Sequence, residues 1–148
     1  MKRLILFVFL IACSASVFAQ FPLGSNAQKI KAYFADNIPY ASVQEFKADN
    51  GDDAICFTKV KVVGDYTFYF DKKGECSSYV VTYDKAEWRT LAHRFDNKFC
   101  RMGDTKWIAE DGTFDVSVIL PQPGENFFSI LYKPLAPTVL QSNTLASN

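Results

Sequence analysis

The 148-residue chain balances 16 Lys and Arg against 16 Asp and Glu, with aromatics at 16% and one histidine beside four cysteines. No basic run argues for nucleic acid or an anionic membrane surface, and a single histidine with widely spaced cysteines matches no zinc-ligand pattern. Ser-His-acid catalysis and phosphate-binding loops have no supporting motif either.

Lys2 and Arg3 precede an apolar run over 4–12, followed by small residues and Val17-Phe18-Ala19 ahead of Gln20. This is the pattern of an export signal. The apolar run is shorter than the roughly 20 residues a bilayer span needs, so no transmembrane segment is expected once the signal is removed. Leu10-Ile11-Ala12-Cys13 also resembles a bacterial lipobox, and two processing routes stay open: cleavage after Ala19, making Gln20 the first mature residue, or a lipid anchor at Cys13. Taking nineteen residues from 148 leaves 129, and loss of Lys2 and Arg3 lowers the basic count from 16 to 14 against 16 acids. The expected organisation is a signal peptide over 1–19, a single domain over 20–134 and a flexible C-terminal tail over 135–148, in a periplasmic or secreted location.

Phe21-Pro22-Leu23-Gly24 reads as an irregular lead-in, and Ser25 with Gln28 as a capping box opening a first helix. Ala27, Ile30 and Phe34 form its apolar stripe, and Pro39 ends it. A strand over 42–47 leads to an Asn50-Gly51 hairpin turn inside the acidic stretch 49–53. That stretch is weighed as a Ca²⁺ loop, but an Asn-Gly hairpin needs no metal and no bidentate glutamate follows.

Strands are expected over 54–62, 66–70 and 75–83, where β-branched and aromatic residues dominate between glycine-containing breaks. A three-residue loop over 63–65 would set Val60 opposite Phe68 and keep Lys59 and Lys61 off the aromatic face. Asp71-Lys72-Lys73-Gly74 supplies the next turn, facing Phe68 and Tyr66 towards Ser77 and Tyr79 and burying Tyr79, Val81 and Tyr83. Asp84 and Glu87 form a second capping box, and Trp88, Leu91, Ala92, Phe95 and Phe99 fall on one helical stripe. His93 lies on the polar side of that helix and reads as a solvated surface residue. It also sits about 10.5 Å of axial rise from Cys100, too far for a Cys-His pair.

Gly103 reads as the stop of this helix. A short strand follows over 106–109, then a strand over 113–120 in which Phe114, Val116, Val118 and Leu120 alternate with Thr113, Asp115, Ser117 and Ile119, so that the even positions are expected to face the core, and a last strand over 127–132. The whole is α+β: an antiparallel sheet of six to seven strands with two helices packed on one face, ordered as a tandem αβββ repeat.

With Leu23-Gly24-Ser25 before its first helix, this order is similar to the β-lactamase-inhibitor-protein and outer-membrane-assembly-lipoprotein superfamily, which implies a protein-binding module. Phe70 to Cys76, Phe-Asp-x-x-Gly-x-Cys, also looks like small exported bacterial proteins of unknown function. Neither resemblance carries a catalytic residue over.

In an oxidising compartment Cys56, Cys76 and Cys100 are an odd set. The climb of one strand and return of the second helix bring Cys100 near the level of Cys76, so a Cys76–Cys100 disulfide is expected, with Cys56 a buried thiol on the core face. Two functions are carried forward, neither needing a cofactor. One is a non-catalytic cell-envelope binding module whose unknown envelope or secreted partner meets the sheet face away from the helices, at Thr67, Tyr69, Val80 and Thr82, with Tyr69 as anchor. The other is a small apolar-ligand carrier with a cavity between helices and sheet.

Overall fold

A computed structural model describes residues 22–58, 64–121 and 123–135. The expected signal peptide, its cleavage site, Cys13 and all but the first residue of the tail lie outside the described residues.

The first helix, α1 (Ala27–Asn37), starts one residue later than the capping pattern suggests: Asn26, not Ser25, is the cap, its side chain accepting the Lys29 N–H at 2.9 Å. Ser25 is instead buried, and its carbonyl accepts the Cys76 N–H at 2.8 Å, pinning the lead-in to the sheet. Then come β1 (Ser42–Lys47), β2 (Asp53–Thr58), β3 (Tyr66–Phe70) and β4 (Cys76–Asp84). A 3₁₀ turn (Lys85–Glu87) leads into α2 (Trp88–Lys98), followed by β5 (Cys100–Arg101), β6 (Lys106–Ile108), β7 (Phe114–Ile119) and β8 (Phe127–Pro134).

All eight strands form one antiparallel sheet in the order β1-β2-β3-β4-β8-β7-β6-β5. The chain is therefore α+β, with eight strands rather than the expected six to seven. The additional strand is β5. Phe99, expected on the helical stripe, has φ −132° and ψ 155°, so α2 ends at Lys98, and Cys100 and Arg101 pair with β6. Each helix is followed by a four-strand meander, and the two meanders join where β4 pairs with β8.

Residues directly opposite one another on neighbouring strands point to the same side of a sheet. One such row runs Ile55, Phe68, Tyr79, Tyr132, Val116, Trp107. Ile30 and Phe34 of α1 pack with Ile55, Phe57, Phe68, Phe70 and Cys76, whereas Leu91 and Phe95 of α2 pack with Trp107, Phe114, Val116, Phe128 and Ile130. Trp107 is fully buried and its indole N–H still finds an acceptor, Asp96 Oδ1 at 2.8 Å, as a buried indole requires.

Two expected registers are corrected. Phe68 lies opposite Ile55, not Val60, so Ile55 and Phe57 face the core and Cys56 faces away, half-buried. The physical reason is aromatic packing: Phe57 stacks on Phe34 at 3.9 Å between ring centroids and meets Phe68 edge-on at 5.9 Å. In the next pair Phe68 faces Tyr79 and Tyr66 faces Val81, two residues beyond the expected partners. The shift preserves side-chain parity, and Val81 is buried as expected, with Tyr79 and Tyr83 packed against the two cores. The intervening turn forms as expected, Asp71 Oδ1 accepting from the amides of Lys73 and Glu75 and Gly74 taking φ 77°.

Candidate functional site

The expected partner-binding residues lie on the side of the sheet opposite the Ile55–Trp107 row. Thr67 is directly opposite Val80, Tyr69 opposite Ser78, and Thr82 opposite Ser129. All four are half-buried. The pairings bring them into one patch spanning β3 and β4, and the row through Val80 continues as Cys56, Thr67, Val80, Leu131, Ser117 and Lys106. Its polar groups are mutually engaged, Thr67 Oγ1 donating to Cys56 Sγ at 3.5 Å and Thr82 Oγ1 lying 3.5 Å from Ser129 Oγ. The patch sets the Val80 and Tyr69 side chains beside the hydroxyls of Thr67 and Thr82.

The expected Cys76–Cys100 disulfide is absent: Cys56, Cys76 and Cys100 are all free thiols. The cause is the sheet order. Cys76 begins β4 and Cys100 begins β5, four strands away, or roughly 19 Å at about 4.8 Å per strand, far beyond the 7 Å a disulfide can bridge. A bulge between Tyr69 and Phe70 also turns Cys76 inward, opposite Phe70. Burial pushes its thiol up to about 12.

Sequence reasoning missed a charged cluster on the same side of the sheet. Asp115 on β7 is 3% exposed, with Lys106 Nζ at 3.3 Å and Lys133 Nζ at 4.0 Å from its Oδ2, while Oδ1 has no hydrogen-bond partner. These residues line an open cavity of about 610 Å³ together with Met102, Ile108 and Leu135. The signal was present: Asp115 takes an outward position in the alternating strand, and the register sets it opposite Lys133.

Compared with family models, curated proteins and solved structures, the chain matches none.

The acidic turn between β1 and β2 closes on itself. Asn50 Oδ1 accepts the Asp52 N–H at 3.1 Å, Asn50 Nδ2 donates to Asp52 Oδ2 at 2.7 Å, and Asp53 pairs with Lys47 at 2.6 Å. Among the described residues no group of three or more His, Cys, Asp or Glu is placed to hold a metal ion. His93 lies on the surface of α2 beside Asn97, 3.3 Å from its amide nitrogen. No helix among the described residues is long and apolar enough to cross a membrane.

A second cavity, about 450 Å³, opens where the 3₁₀ turn and the start of α2 meet the ends of β7 and β8. Trp88, Leu120, Pro121 and Phe128 supply its apolar walls, and Lys85 and Arg89 stand at its edge. Nothing in the spacing of these residues announces the cavity, since they come from three separated segments.

Proposed function

We propose that this chain is an exported, non-catalytic binding module of the cell envelope, periplasmic or secreted, whose protein partner meets the sheet face turned away from both helices. In this reading the fold is a relative of the tandem αβββ modules, each unit carrying a fourth strand, and α1 and α2 cover the same face. One observation supports it above all. The buried stripes of both helices cluster with residues of a single row, Ile55 to Trp107, which leaves the Cys56–Lys106 row without a helix. Tyr69 is the anchor, because a tyrosine offers large contact area at the cost of few rotamers.

The test is recovery of a partner from envelope extract on the wild-type protein and on Tyr69→Ala and Val80→Asp. Both variants are expected to lose the partner while melting within a few degrees of wild type. Retention of the partner by both, or unfolding of both, would sink the assignment.

The cavity beside α2 favours a second reading, a carrier of a small apolar ligand held between helix and sheet. Its volume falls within the roughly 300–1,000 Å³ typical of small-molecule sites.

A further inference from the structure

We infer that the cavity at the start of α2 is a binding site for a small amphipathic carboxylate, an apolar chain or ring bearing one negative charge. This rests on the carrier reading and names its ligand class. The walls supply the apolar half of the match: Trp88 and Phe128 meet edge-on at 5.5 Å, and Trp88 also abuts the fully buried Trp107 at 6.4 Å, so the indole is held from two sides. Leu120 is 59% exposed at the mouth, and an apolar occupant would remove that surface from water.

Charge supplies the other half. The ionisable residues lining the cavity are Lys85 and Arg89, both cationic, with no carboxylate among the lining. Arg presents a planar fork that matches a carboxylate, and apolar walls strengthen such a pair relative to bulk water. The positive charge is that of these side chains, not of a helix terminus: the first two amides of the turn are already taken, Lys85 N–H by the Asn126 carbonyl and Ala86 N–H by Asp84 Oδ1, each at 2.8 Å. The frame is also preformed. Lys85 N–H donates to the Asn126 carbonyl at 2.8 Å, tying the turn to the approach of β8. A preformed site spends little of its binding free energy on ordering itself.

Titration of the full mature chain with sodium decanoate and, separately, with decan-1-ol tests this, read by tryptophan fluorescence and by calorimetry. Decanoate is expected to bind saturably and about tenfold more tightly than the alcohol, as one charge-assisted pair implies. Arg89→Ala, at an exposed position, should reduce that preference, and Lys85→Ala added to it should erase what remains. Leu120→Glu should abolish binding of both. Trp88→Phe should silence the fluorescence change while the calorimetric heat persists. Equal binding of acid and alcohol would overturn the carboxylate assignment and leave the carrier reading standing. Absence of saturable binding by either would overturn both.

Discussion

Cys76 shows how much one inserted residue can decide. Without the bulge after Tyr69, strict alternation would aim Cys76 at the outer face. With it, the thiol enters the α1 core, where Sγ meets the Ser78 carbonyl at 3.5 Å and its ionisation is pushed up from 9.0 to about 12. Hydrophobic patterning carries no mark for a bulge, so the parity of 79, 81 and 83 was legible and that of 76 was not. Thiolate, not thiol, is the nucleophile, and a buried neutral thiol is inert. Iodoacetamide applied to the folded protein should therefore modify exposed Cys100 readily and Cys76 only after unfolding. Peptide mapping under non-reducing conditions reads both outcomes, and recovery of a Cys76–Cys100 cross-linked peptide would contradict the sheet order described above.

Among the elements, those with a strong local signal were legible. The Asn50-Gly51 turn and the Asp71 turn appear where turn chemistry puts them, and Phe114, Val116 and Val118 of β7 and Leu91 and Phe95 of α2 are buried as their period requires. Leu120, expected on the core face, instead lies beyond the end of β7 and is exposed, and Phe99 leaves the helical stripe. What was not legible is pairing. Keeping Lys59 and Lys61 away from aromatics favours one register of β2, yet the register is decided by a partner distant in sequence, the Phe34 ring of α1. β5 is two residues long and is stabilised by its neighbour, so no window of sequence could announce it. Of the candidate site, the Thr67–Val80 patch followed from parity and is brought together. The cavity beside α2 depends on three segments meeting and was beyond reach. Phe34, 4% exposed and stacked on Phe57, links α1 to β2 and β3. Phe34→Ala should cost about 3–5 kcal/mol, checked by urea unfolding, with loss concentrated in the first meander. A cost below 1 kcal/mol would mean α1 is not docked as described.

At the scale of the whole molecule, the two meanders meet along β4 and β8, where Tyr79 and Tyr132 stack with centroids 4.4 Å apart and planes 2° from parallel. Burial, reinforced by neighbouring tyrosines, holds the phenols of Tyr79 and Tyr132 well above their ordinary 10.0, and burial also raises Tyr66 and Tyr83. The sign of the pH dependence follows. Below about pH 8 these groups and Cys76 are protonated whether folded or not, so they leave stability flat. Above it the unfolded chain releases protons that the folded one keeps, first from Cys76 and then from the tyrosines, so stability falls as pH rises from about 8 onward. Urea midpoints at pH 8, 9.5 and 10.5 should decline in that order, less steeply in Tyr132→Phe. A level profile would contradict the buried seam.

The same seam has a consequence for the order in which the chain can become secure. β8 pairs with β4 of the first half and β7 of the second, and it follows every other described strand in sequence. Until it emerges, β4 presents a nine-residue edge containing Val80 and Val81, and β7 presents a second edge of its own. Open edges of this kind template pairing with other chains. The interval between the appearance of β4 and that of β8 is therefore the period of greatest exposure.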